Sequence, residues 1–197
     1  SGLPAVAAFV VAITASVGSQ QTSRHPAAVT PFPAGLTGTL VFESDVAGRP
    51  GLYTLALASG VVSRLTGDPG YREQTPRWSP DGRQVTFSSN RAHYVGTATD
   101  TGTPNFDIWI VNADGSQARR LTTDPSNDAD PTWTPDGTGI VFSSDRDSRG
   151  DLYLLTLATG ATTRLTRHFV GRAIMPTVSS SPTRTAFAAQ TLRVGAF

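Results

Sequence analysis

Four phenylalanines, Phe42, Phe87, Phe142 and Phe187, stand in matching sequence contexts at separations of 45, 55 and 45 residues. The triplet Arg-Leu-Thr recurs at 64–66, 120–122 and 164–166, and prolines Pro76, Pro131 and Pro176 recur with the same offsets. A fixed period of this length marks a stack of supersecondary units, none of which buries its apolar face alone. The unit is about 44 to 45 residues, and the middle copy carries about 11 more, which fall in the polar segment Ala92–Thr103 and read as an inserted loop.

Each unit resolves into four short strands joined by turn chemistry. In the second copy Thr75–Trp78 is a brief strand, and Ser79-Pro80-Asp81-Gly82 is a tight turn in which Pro presets φ and Gly accepts a positive one. Arg83–Ser89, Asp107–Asn112 and Gln117–Thr122 follow as strands, and the third copy repeats them at Pro131–Trp133, Gly139–Ser144, Asp151–Leu157 and Ala161–Thr166. Strands such as Asp107–Asn112 (DIWIVN) are apolar on both faces and must be covered on both. The predicted fold is therefore all-β, a partial β-propeller of four-stranded antiparallel blades with two complete and two incomplete repeats. A β-sandwich needs no matching turns at a fixed period. Trp78, Trp109, Trp133, Tyr53 and Tyr153 hold fixed repeat positions and are expected between blades as core.

The runs Pro76-Arg77-Trp78-Ser79-Pro80-Asp81-Gly82 with Val85 and Phe87, and Pro131-Thr132-Trp133-Thr134-Pro135-Asp136-Gly137 with Ile140 and Phe142, are followed by Asp107-Ile108-Trp109 or Asp151-Leu152-Tyr153 and a closing Arg-Leu-Thr. They resemble the WD40-like PD40 repeat of the TolB β-propeller family. The resemblance covers about residues 38 to 197, with blades at about 38–74, 75–130, 131–174 and 175–197. The first copy lacks its leading Trp strand. In the last, Val178 replaces Trp and Ser181-Pro182-Thr183-Arg184 replaces the Pro-Asp-Gly turn. What the resemblance implies is a non-enzymatic exported module for protein binding or scaffolding, periplasmic or secreted. Similar repeats occur in propellers of prolyl-oligopeptidase-like and tricorn-like peptidases and in sensor domains of membrane-anchored kinases, which are the alternatives. TolB carries an α/β domain before its propeller, where this chain shows only a tether, so specific TolB partnerships are not expected to transfer.

Residues 3–17 are uncharged and mostly apolar, so 1–18 is expected to be an export signal or membrane anchor and thus a membrane tether. The Pro-, Ser- and Thr-containing stretch 19–36 reads as a tether, with the propeller spanning 37–197. Three and a fraction repeats leave stack ends bare, so a longer propeller or self-association is expected to cover them.

The chain's 16 basic and 15 acidic residues give a net charge of +1, which supplies no field for nucleic acid. With no cysteine, thiolate chemistry is excluded. Nucleophile-elbow, Ser-x-x-Lys, His-Glu-x-x-His and phosphate-loop patterns are lacking, so no catalytic residue and no cofactor is assigned. His25, His93 and His168 lie far apart and read as solvated or loop-packing. Asp145, Asp147 and Asp151 offer a weak calcium pattern, with Arg149 and Thr156 where such a loop wants acidic or amide groups. Asp124, Asp128 and Asp130 read as a solvated connector, and the arginines of Arg-Leu-Thr as charges that blunt the outer strand. A protein-binding surface is expected in the loops after the second strands and in the connectors 67–74 and 123–130. Its candidate residues are His93, Tyr94, Asp100, Tyr71, Arg72, Asn127 and Asp128.

Overall fold

The computed structural model describes residues 35–45, 50–67, 71–93, 105–147, 150–167 and 171–179, with the backbone of 187–190. The leader, most of the tether, His25, Tyr94, Asp100, His168 and the turn at 181–184 lie outside the described residues. No described helix is long and apolar enough to cross a membrane.

Thirteen strands are described. Blade I holds β1 (Thr39–Ser44), β2 (Gly51–Ala56) and β3 (Val61–Arg64). Blade II holds β4 (Glu73–Trp78), β5 (Gln84–Ser89), β6 (Asp107–Asn112) and β7 (Arg119–Arg120). Blade III holds β8 (Asp128–Trp133), β9 (Gly139–Ser144), β10 (Asp151–Thr156) and β11 (Thr162–Arg164). Blade IV pairs β12 (Arg172–Pro176) with β13 (Phe187–Gln190). Every pairing is antiparallel between chain neighbours, so each sheet is a meander.

The inner strands begin earlier than the sequence pattern indicates, at Glu73 and Asp128, because each passes through a β-bulge. The bulges fall between Gln74 and Arg77, Ala129 and Thr132, and Ala173 and Pro176, where Thr75, Asp130 and Met175 take φ values of 53°, 54° and 52°. Each is followed by a proline. Proline donates no ladder hydrogen bond, and a bulge is where a strand tolerates that. The correction reaches the acidic run: Asp128 and Asp130 belong to β8, and Asp128 is fully buried instead of solvated. The outer strands are shorter than expected, β7 being only Arg119–Arg120.

The blades stack through their faces. Val85, Phe87 and Val111 of blade II pack against Leu52 and Leu65 of blade I, with Trp78 and Trp109 alongside. On the other side Ile108 and Ile110 meet Trp133, Ile140, Phe142, Tyr153 and Leu155 of blade III. Val141 and Leu152 then meet Ala173 and Val178 of blade IV. The repeated aromatics thus serve as inter-blade core, with Trp133 and Tyr153 only 7% and 4% exposed. Leu40 of blade I and Met175 of blade IV, at the two ends of the described stack, are 49% and 60% exposed, and Leu165 of blade III, beside the two-stranded blade IV, is 42% exposed.

The Arg-Leu-Thr triplet acquires a physical reason. The Leu amide of each closes onto the third strand, Leu65 N to Leu52 O, Leu121 N to Ile108 O and Leu165 N to Leu152 O, at 2.7 to 2.8 Å. The Thr hydroxyl accepts from the same third-strand residue: Leu52 N at 3.3 Å, Ile108 N at 3.0 Å and Leu152 N at 3.0 Å. Arg120 and Arg164 turn inward to Asp107 and Asp151 at 2.7 Å, which corrects the reading of a charged outer rim. In blade I the acidic position is Gly51, and Arg64 donates instead to Thr66 O and Pro50 O.

At the opposite turns, Asp81 Oδ1 accepts from Ser79 Oγ (2.6 Å) and Arg83 N (3.1 Å), and Asp136 Oδ1 from Thr134 Oγ1 (2.6 Å) and Thr138 N (3.0 Å). The Thr134 hydroxyl and then the Thr138 amide hold the Asp136 carboxyl below its usual value of 3.8. A depressed carboxyl pKa gives stability that is present above pH 3.8 and lost as pH falls through the folded value. Asp136→Ala is therefore expected to lower Tm at pH 7, and the difference from the wild type is expected to shrink as pH falls below 3.8. Thermal melts across a pH series check this.

Candidate functional site

In an antiparallel meander of four strands, the loop after the second strand and the connector after the fourth emerge at one end of the blade. The structure bonds these two loop sets together. Asn90 and Arg72 exchange two hydrogen bonds, Arg72 N to Asn90 Oδ1 at 2.7 Å and Asn90 N to Arg72 O at 3.2 Å. Asp145 and Asn127 repeat the exchange one blade later, Asn127 N to Asp145 Oδ1 at 2.8 Å and Asp145 N to Asn127 O at 3.4 Å. Asn127 Oδ1 also accepts from Phe106 N at 3.0 Å, and Asn105 Nδ2 donates to Pro125 O at 2.7 Å, fastening the end of the β5–β6 loop to the next connector. The result is a single loop rim running across blades II and III.

Beneath the rim each full blade carries a buried acid and an arginine lying over two or more rings. In blade II, Glu73 is paired with Arg91, whose guanidinium lies 4.5 Å from the centroid of Trp109, 4.9 Å from Tyr71 and 5.5 Å from Phe87. In blade III, both oxygens of Asp128 accept from Arg146 Nη2 at 2.8 and 2.9 Å, and Arg146 sits 4.6 Å from Tyr153 and 5.5 Å from Phe142. Burial pushes the Asp128 carboxyl above its ordinary value against the pull of Ser144, Arg146 and Thr122. Thr66 Oγ1 donates to Glu73, so the closing Thr of one blade also holds the acid of the next. Planar guanidinium over ring faces with a carboxylate at its edge is a rigid cross-strand strut.

The candidate residues divide accordingly. Arg72 and His93 are exposed on the rim, Tyr71 is half-buried under Arg91, and Asn127 is half-buried as a loop fastener. Asp128 is 0% exposed and lies below the rim in β8. His93 Nε2 is 3.1 Å from Asp107 Oδ2 and 3.2 Å from Arg120 Nη2, tying the start of the inserted loop to the third strand.

The calcium pattern does not converge. Asp145 caps Asn127, Asp147 accepts from the Tyr153 hydroxyl and pairs with Arg164 at 3.3 Å, and Asp151 accepts from Arg164 and from Thr166 Oγ1, each at 2.7 Å. Burial and then the Asp147 carboxylate push the Tyr153 phenol upward. Among the described residues no group of three or more metal-ligating side chains is gathered.

The family model described as the TolB beta propeller domain, PD40, matches residues 94–194. A Tol-Pal system protein TolB from Francisella tularensis subsp. mediasiatica is 31% identical over 179 residues, covering 71% of this chain and 40% of its own. A protein TolB homolog from Chlorobium luteolum is 32% identical over 154 residues, covering 62% of this chain and 35% of its own. Among solved structures, TolB from Acinetobacter baumannii superposes with a TM-score of 0.65 at 24% identity, over 79% of this chain and 36% of that one. A putative TolB from Agrobacterium tumefaciens gives 0.54 at 27% identity, over 64% and 44%. The chain thus spans about 40% or less of the length of these curated relatives.

Proposed function

The chain belongs to the TolB β-propeller family, and from that premise we propose that it is a non-enzymatic, exported propeller module whose loop rim binds a protein. The observation that carries this reading is the rim itself. Both loop sets open at one end and are held by repeated backbone and side-chain bonds, so exposed groups such as Arg72 and His93 sit on a preorganised frame. The buried charges beneath are committed to strut and closure contacts. The relatives are named as Tol-Pal system proteins, which supports a protein partner over a small-molecule reaction. Export is supported by the uncharged apolar stretch 3–17. Among the described residues the exposed Met175 of blade IV is a surface for further blades or for a second copy of the chain.

The test compares the two ends of the blades. Proteins captured from a periplasmic extract by the immobilised chain are expected to be lost with Arg72→Glu plus His93→Gln, and with deletion of 94–103. They are expected to be retained with Arg83→Glu plus Asp114→Lys at the opposite turns, Tm staying within about 2 °C in each case. Loss on the turn side and retention on the rim side would overturn the assignment.

A further inference from the structure

β1 is the counterpart of β5 and β9, yet its surroundings differ. In blades II and III the edge away from the third strand is covered by β4 and β8, whereas β1 pairs only with β2 among the described strands. An open cleft of about 600 Å³ lies at the Ser44 end of β1, walled by Glu43, Ser44 and Asp45 with Pro50 and Gly51 of blade I, and by Arg72, Glu73 and Gln74 of blade II. Two groups of blades I and II have no partner among the described residues. Trp133 Nε1 donates to Arg77 O of the preceding inner strand at 3.2 Å, while the equivalent Trp78 Nε1 is buried with no acceptor among the described residues. Asp45 is exposed at the position where Asn90 and Asp145 each accept the amide of a residue just before an inner strand.

The same chain supplies the missing register. Thr30-Pro31 precedes Thr75-Pro76 by 45 residues, so Pro31, Pro76, Pro131 and Pro176 reproduce the 45, 55, 45 spacing of the four phenylalanines. Residues 34–38 would join position 33 to β1, just as 79–83 join β4 to β5 and 134–138 join β8 to β9. The chain enters β1 as it enters the other two strands: Gly38 O accepts from Leu57 N at 3.0 Å, Arg83 O from Ala113 N at 2.8 Å and Thr138 O from Leu157 N at 3.0 Å.

We propose that the open edge of β1 is the docking site of residues 28–33 of this chain, which complete blade I as its inner strand and bring the Phe32 carbonyl to Trp78 Nε1. The register is set by blade II. Its pairs Gln74 with Ser88 and Arg77 with Thr86 become Val29 with Glu43 and Phe32 with Val41, and the bulge falls at Thr30. The occupant is this segment because it is tethered a few residues away and its effective concentration at the edge is in the millimolar range. The propeller then begins at about residue 28, and the tether shortens to the residues before it.

The chain has no cysteine, so paired cysteines report the register directly. Oxidation at low protein concentration is expected to close an intrachain disulfide in Phe32→Cys with Val41→Cys and in Val29→Cys with Glu43→Cys. Both are expected to close at least tenfold faster than Val29→Cys with Val41→Cys, which is two residues out of register. Equal rates, no closure, or a disulfide-linked dimer would overturn the proposal, the dimer reassigning the edge to a second copy. Cysteine-free deletions give an independent reading. Removal of 1–26 is expected to leave Tm unchanged and removal of 1–34 to lower it by about 5 °C; equal Tm values for the two would overturn the proposal.

Discussion

Phe142→Ala is expected to destabilise the protein by about 3–5 kcal/mol, and Phe42→Ala by well under half of that. Both phenylalanines occupy the same repeat position and stack on the same cross-strand partner. Phe142 lies 5.8 Å from Tyr153 at 29°, and Phe42 lies 6.1 Å from Tyr53 at 28°. What differs is the neighbouring blade. Phe142 is 0% exposed beneath Ile108 and Ile110 of blade II, while Phe42 is half-buried next to the exposed Leu40. Truncating Phe142 costs transfer of the ring and opens a cavity between two packed sheets, whereas at Phe42 water already reaches part of the site. The comparison separates packing between blades from stacking within one. Urea unfolding checks it, read as a shift in midpoint at unchanged m. Equal losses at the two sites would place the stabilisation inside single blades and contradict the stacked architecture.

The stacked architecture was legible because repetition multiplies weak local signals. One Pro-Asp-Gly turn is an ordinary hairpin cue; the same turn at 80–82 and 135–137, each followed by a phenylalanine five residues later, requires a repeated unit. Strands apolar on both faces then require sheet on sheet, and Val85, Ile108 and Ile140 are indeed at most 0% exposed. The inner-strand starts were misread because Glu73 and Asp128 are acidic and sit among connector residues. Composition alone calls such positions solvated, whereas the structure pairs each with an arginine 18 residues later. Asp107 and Asp151 likewise find Arg120 and Arg164 at a spacing of 13. Those equal spacings in two copies were visible in the sequence and would have signalled buried pairs. The single rim was also implicit, since strand parity in a meander puts the second loop and the connector at the same end. Membership of that rim was not, because depth below the loop surface depends on a bulge that no residue type announces: Asp128 lies buried while its neighbour Asn127 fastens the loops.

Arg146→Ala is expected to cost about 3–5 kcal/mol at pH 7, since it leaves the Asp128 carboxylate buried without its countercharge and uncovers the Tyr153 and Phe142 rings. The loss should be pH-dependent in a definite direction. Burial already raises the Asp128 carboxyl above its value of 3.8, and removing the cation raises it further. A folded state that holds its proton more tightly than the unfolded chain loses stability as pH rises through the interval from 3.8 to the folded value. The deficit of the variant against the wild type is thus largest near neutrality and shrinks as pH falls towards 3.8. Adding Asp128→Asn to Arg146→Ala removes the buried charge altogether, so the double variant is expected to be more stable than Arg146→Ala alone at pH 7, with the pH dependence of the deficit abolished. Denaturant unfolding of the four proteins in this cycle at pH 4 and pH 7 measures the coupling. A loss below about 1 kcal/mol for Arg146→Ala would be the response of an exposed ion pair. It would mean that the acid, arginine and ring arrangement under each loop does not brace the rim, and that the frame proposed for binding is held by its loop hydrogen bonds alone.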